Sequence, residues 1–172
     1  MKRGGYKMKR YVLIILAALL TAFVANSAVW AQPKGNIELK AVAEVEMEVI
    51  NANGEKELKR VPAASVVPGD FVIYTIYYAN VGKAPADKVV ITNPVPEHMR
   101  YEDGSASGEG TRITFSVDDG KRYDVPVNLT IVGADGKMRP AKGSDYTHIR
   151  WTLQKSLAPE EKGLVNFRAQ LE

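Results

Sequence analysis

The run Phe71-Val72-Ile73-Tyr74-Thr75-Ile76-Tyr77-Tyr78-Ala79-Asn80 constrains the fold more than any other stretch of the chain. β-Branched and aromatic side chains lose rotamer freedom in a helix and pack well on a pleated surface, so the run is expected to be a strand. Pro68, Gly69 and Asp70 supply turn chemistry before it, and Asn80 and Gly82 after it. Side chains alternate between the faces of a strand, which puts Val72, Tyr74, Ile76 and Tyr78 on one face and Phe71, Ile73, Thr75 and Tyr77 on the other. Both faces are apolar. That pattern predicts a central strand, or one whose outer face meets a partner.

The first 31 residues do not read as part of that fold. Lys2, Arg3, Lys7, Lys9 and Arg10 form a positively charged lead, Tyr11 to Val24 an apolar run, and Ala25 to Ala31 a small-residue stretch ending Val29-Trp30-Ala31. This is the layout of a cleavable secretory signal peptide, with cleavage expected after Ala31. Its apolar run of about 14 residues is short against the ~20 needed to span a bilayer. Met8 is an alternative start, because Lys9 and Arg10 alone would serve as the charged lead.

Cleavage would change the electrostatics. It removes five of the 23 basic residues and none of the 20 acidic ones, turning a net charge of +3 into −2. A polyanion-binding surface, and so nucleic acid as a partner, finds no support in that charge. The chain has no Cys, which removes disulfides, thiol chemistry and lipidation at cysteine in an exported protein. Subtracting the leader from 172 residues leaves 141. A chain of that length is one domain, able to bury about 65 to 70% of its unfolded surface without covalent staples.

From Ile37 to Val49, apolar residues alternate with Glu38, Lys40, Glu44, Glu46 and Glu48, and only Val42 breaks the pattern. Ala, Glu, Lys and Met favour helix in isolation. A helix would scatter these apolar positions around its whole surface, so the period argues for a long strand, with a bend or bulge expected. Asn51-Ala52-Asn53-Gly54 is a hairpin signal, returning through the charged edge segment Glu55 to Val61 until Pro62 stops the pairing. Further strands are expected at Lys88 to Asn93, Thr111 to Val117, Lys121 to Val125, Val127 to Val132, Ile149 to Leu153 and Leu164 to Leu171. Trp151 is the expected large core anchor. Gly136 to Pro140 is expected to be a loop. The last strand puts Val165, Phe167, Ala169 and Leu171 on one face and leaves no room for a C-terminal anchor, so no stable membrane anchor is expected after cleavage.

Many short strands, frequent turns and no convincing helix predict a single antiparallel β-sandwich over residues 32–172. Taken together, several pieces of this region resemble a known module: Val67-Pro68-Gly69-Asp70, Tyr74-Thr75-Ile76, Asn80-Val81-Gly82, Val89 to Pro96, Gly104-Ser105-Ala106, Trp151 and Leu157-Ala158-Pro159. The module is the bacterial surface-protein repeat domain catalogued as domain of unknown function eleven. The resemblance covers about Val66 to Leu171 and implies an immunoglobulin-like sandwich in an exported or cell-envelope protein, without implying enzymatic activity. The chain departs from the usual pattern in carrying Asn93 where an Asp is frequent, in a longer segment between Ser107 and Thr147, and in having one copy where tandem copies are the rule.

No constellation for bond-making chemistry stands out. His98 and His148 are far apart in sequence, with no second His at ligand spacing, and His148 is expected on an outer face beside Arg150. No Gly-x-Ser-x-Gly elbow positions a nucleophile. Ser116 to Tyr123 is similar to the Asp-box hairpin, Ser-x-Asp-x-Gly-x-x-aromatic, a tight turn in which an Asp accepts backbone N–H bonds and a Gly takes positive φ. One such box is a folding device. Asp118, Asp119 and Asp124 offer calcium oxygens but lack EF-hand spacing, so a solvated turn is expected. No catalytic residue, cofactor or metal site is therefore predicted.

The apolar outer face supplies the one candidate site. Phe71, Ile73 and Tyr77, with Val90 on a neighbouring strand, would form a patch unless the segment Lys121 to Thr147 folds over it. Uncovered, such a patch beside a sheet edge suits partner docking or strand addition. The expected function is a non-catalytic, exported β-sandwich, periplasmic or extracellular, acting through contacts with a protein partner in the cell envelope or with itself. The alternatives are a filament subunit assembling through the Ile37 to Val49 strand and a carbohydrate-binding module.

Overall fold

The structure, a computed structural model, describes residues 36–172; the expected signal peptide, its cleavage site and the alternative start at Met8 lie outside the described residues. Eleven strands occur among these: β1 (Ile37–Ile50), β2 (Lys56–Pro62), β3 (Phe71–Asn80), β4 (Val90–Pro94), β5 (Met99–Tyr101), β6 (Ser107–Gly108), β7 (Thr111–Ser116), β8 (Thr130–Val132), β9 (Met138–Pro140), β10 (His148–Leu153) and β11 (Lys162–Leu171). The helical content is two short 3₁₀ turns, Pro126–Asn128 and Gly143–Asp145. Every pairing is antiparallel. The larger sheet runs β2-β1-β3-β11-β5, with β6 also on β11, and the smaller runs β4-β10-β7. β8 and β9 form a separate hairpin.

The two sheets pack face to face as an all-β sandwich. Trp151 of the smaller sheet and Phe167 of the larger are both fully buried, with ring centroids 6.2 Å apart. Tyr101, Phe115 and Tyr146 complete an aromatic cluster, and Ile91, Ile149, Val165 and Ala169 fill the space between. The Trp151 indole N–H donates to the Ser107 carbonyl at 3.1 Å, so its polar edge is satisfied inside the core. β3 lies centrally, between β1 and β11, as its two apolar faces require.

The turns at either end of β3 are held by side chains the sequence places there. Asp70 accepts the Val67 N–H at 2.9 Å, and Gly69 adopts φ +99°, which a Cβ would strain. At the other end Asn80 is wholly buried. It donates to the carbonyls of Ala84 and Leu157 and accepts the Gly82 N–H, so three of its bonds tie two loops to one strand end.

Three expectations are corrected in detail. Lys121 to Val125 is not a strand, since only Asp124 bridges to Phe115. The strand expected over Val127 to Val132 begins only at Thr130, because Pro126, whose fixed φ and missing N–H suit a first turn and not a ladder, opens a 3₁₀ turn that runs to Asn128. Met138–Pro140 is a strand rather than a loop, paired with β8 around the Gly133 to Gly136 turn.

Candidate interaction surface

β1 changes partner along its length. Ile37 to Glu44 pair with β3, and Glu44 to Ile50 pair with β2. The second half of β1 and all of β2 therefore form a two-stranded ribbon that continues past the β3 ladder. The facing sheet is three strands wide and reaches β3 and β11, and no β1 residue enters the buried core. The apolar face of β1 accordingly overhangs. Leu39 is 53% exposed and Met47 on the same face is exposed as well, while Ile50 and Leu58, opposite Lys56 and Glu48 in the ladders, are exposed on the other face of the ribbon. The alternating run from Ile37 is therefore not buried along its length: Ile37 packs on the core, but Leu39 and Met47 lie beyond the reach of the smaller sheet.

The backbone of β1 is also incompletely paired. The Asn36 carbonyl accepts the Val81 N–H, which fixes Asn36 as pointing toward β3. The Ala43 carbonyl accepts the Ala63 N–H, which fixes Ala43 as pointing the other way. Because backbone groups alternate sides along a strand, Glu38, Lys40 and Val42 address β3, whereas Ile37, Leu39 and Ala41 address the opposite edge. Among the described residues nothing pairs with that edge, since β2 begins its pairing only at Glu44. An unpaired strand edge is a template for another strand.

The four residues expected to form a patch are not brought together. Phe71, Ile73 and Tyr77 share the outer face of the larger sheet, but Val90 sits on β4 in the other sheet, opposite Thr152 and pointing away from the core. Ile73 is 4% exposed. Neighbours on its own sheet cover it: Arg168 lies directly across one ladder and Glu44 across the other. Arg168 forms an ion contact with Glu102 at 2.9 Å and places its guanidinium 5.0 Å from the Phe71 ring centroid. The Arg60–Glu46 pair, 3.5 Å apart, closes the other side. Only Tyr77 and Val90 are substantially exposed, on different sheets. The segment Lys121 to Thr147 is elsewhere, with Asp124 on Phe115 of β7 and Tyr146 against Tyr101 and Phe115. A different cleft of about 490 Å³ opens where the ribbon leaves β3, lined by Met47, Leu58, Gly69 and Phe71.

The chemistry-bearing residues are each engaged locally. Asp118 accepts the Arg122 N–H at 2.9 Å and the Ser116 hydroxyl at 2.8 Å, and its second oxygen meets Arg122 Nε at 2.8 Å. These bonds, that of the Arg122 side chain foremost, hold its carboxyl well below the usual range. Asp119 and Gly120 both take positive φ, giving the tight turn expected of an Asp box. Asp124 is spent on the Val125 N–H and the Asn128 amide, so the two carboxylates do not converge on one point. His148 Nδ1 is 3.2 Å from Thr147 Oγ1, and His98 stands exposed in a turn beside Glu97. Among the described residues no group of three or more His, Asp or Glu side chains has an arrangement that could hold a metal ion. No helix among them is long and apolar enough to cross a membrane. No family model, curated protein or solved structure matches the chain.

Proposed function

We propose that this chain is a non-catalytic, exported β-sandwich of the cell envelope or extracellular space that works through protein contacts, with the β1–β2 ribbon and the adjoining edge of β1 as its contact surface. The observation that carries this reading is the overhang. A strand of 14 residues presents exposed apolar side chains and an unpaired backbone edge beside an otherwise closed core. The leader-like first 31 residues and the Cys-free composition support export, and the resemblance to surface-protein repeats adds an immunoglobulin-like sandwich and the envelope as its setting. His, Asp and Ser side chains that serve their own turns support a contact role over hydrolysis.

Two measurements test the reading. N-terminal sequencing of the protein recovered from fractionated cells is expected to begin at Gln32; a cytoplasmic protein with an intact leader contradicts export. A photo-crosslinking amino acid at Leu58 or Met47 is expected to trap a discrete protein adduct in living cells, whereas the same probe at exposed Val127, on the distant 3₁₀ turn, is expected to trap none. Equal labelling at all three positions contradicts a dedicated surface. The filament reading shares the same edge and differs in predicting an open-ended ladder of masses.

A further inference from the structure

We infer that the free edge of β1 pairs antiparallel with the same edge of a second copy of this chain, across a two-fold axis at Leu39. The inference rests on the contact-module reading and names the partner for one part of that surface. Ile37, Leu39 and Ala41 are the positions whose N–H and C=O groups face the open edge, and Ala43 closes the series because its carbonyl already serves Ala63. A two-fold antiparallel ladder must match these outward-facing positions with one another. With Leu39 opposite Leu39 of the second copy, Ile37 falls opposite Ala41 and every outward backbone group of the three residues finds a partner.

Side chains select the same register. On the outer face it sets Glu38 opposite Lys40 twice, once on each side of the axis. Sliding by one pairing step would set Glu38 opposite Glu38 or Lys40 opposite Lys40, and would leave one of the three positions without a partner. Opposite charges directly across a ladder stabilise it and like charges oppose it. On the other face the two exposed Leu39 side chains meet and leave water. The pairing also ends where it must: beyond Val42 the edge is occupied by Ala63 and Pro62.

The chain has no native Cys, so the register can be read by disulfide trapping. In a non-hydrogen-bonded antiparallel pair the Cα atoms lie about 4.5 Å apart, within the range a disulfide spans. Full chain carrying Glu38→Cys, mixed with full chain carrying Lys40→Cys and oxidised, is expected to give a covalent dimer linking the two variants. Neither variant alone is expected to link to itself. Self-linking of Glu38→Cys or of Lys40→Cys overturns the register.

Sedimentation of the unmodified chain is expected to show a two-copy mass that dilutes to one. Of the backbone's hydrogen-bonding groups Leu39→Pro removes only one outward-facing N–H, and the side chain it shortens is exposed, so it is expected to keep the parent's β-sheet spectrum while weakening association at least about tenfold. A monomer at every concentration, or a dimer indifferent to Leu39→Pro, overturns the pairing. If crosslinks from Leu58 to another protein persist in that case, the contact-module reading stands without it; if they are also absent, both fall.

Discussion

Tyr78 lies directly opposite Gly163 across the β3–β11 ladder, and its ring occupies the space into which a Cβ at position 163 would project. Glycine in a strand normally weakens it, and here the ring of a cross-strand neighbour fills the gap. Burial of that ring raises the Tyr78 pKa. Gly163→Ala is expected to destabilise the fold by about 1–3 kcal/mol through overpacking. Combining it with Tyr78→Ala is expected to cost less than the sum of the two single changes, as measured by denaturant unfolding in a double-mutant cycle.

A second relationship sets a pH dependence. Asp145 receives both guanidinium nitrogens of Arg139, at 2.7 and 2.9 Å, and the Lys142 N–H at 2.9 Å, which locks the β9 end onto the Gly143–Asp145 turn. The Arg139 bonds foremost hold the Asp145 carboxyl below its ordinary value near 3.8. Unfolded chain takes up a proton there at higher pH than folded chain does. The stabilisation is therefore present above the unfolded value and is lost as pH falls through the folded one. The destabilisation by Asp145→Asn is expected to be largest near neutrality and to shrink below about pH 4, measured as the shift in unfolding midpoint.

Calcium is expected to leave the melting temperature unchanged at millimolar concentration, with EDTA equally without effect. The reason is local: the Asp118 oxygens already hold Arg122 and Ser116, and Asp124 faces its own turn. A rise in melting temperature with calcium that disappears in Asp118→Asn would show a site that these turns assemble after all.

Exposed and buried apolar residues are expected to part company on substitution. Met47→Ser and Leu58→Ser should change stability by no more than about 0.5 kcal/mol, because both side chains are already exposed. Trp151→Ala should cost about 3–5 kcal/mol, since its side chain is fully buried and hydrogen-bonded. Thermal unfolding of the three variants separates the contact surface from the core.

Strand identity was legible because Ile149 to Leu153 and Leu164 to Leu171 alternate with period 2, and because Phe71 to Asn80 is dense in β-branched and aromatic residues on both faces, as a central strand requires. The turns were equally legible where Pro, Gly and Asp stand together. What the sequence did not reveal was which strands share a sheet. Val90 and Phe71 alternate in the same way, and only the pairing of β4 with β10 shows that they face opposite sides of the molecule. Nor does alternation along β1 say how far the opposite sheet extends. A hint was present in the small Ala41 and Ala43 beside repeated Glu, which supply little for a core to pack. Burial of Ile73 beside Arg168, Glu44, Arg60 and Glu46 is not legible in the alternation, because long charged side chains cover apolar surface with their stems.

If β1 keeps a free edge for a partner, residue-resolved amide hydrogen exchange reads that edge directly. In dilute protein Glu38, Lys40 and Val42 are expected to exchange slowly, bonded to β3, while Ile37, Leu39 and Ala41 exchange fast. On concentration the fast set is expected to become slow, with Leu39 among the protected amides. Slow exchange at Ile37, Leu39 and Ala41 in the dilute monomer would show the edge already covered, and fast exchange at every concentration would show that it recruits no second copy.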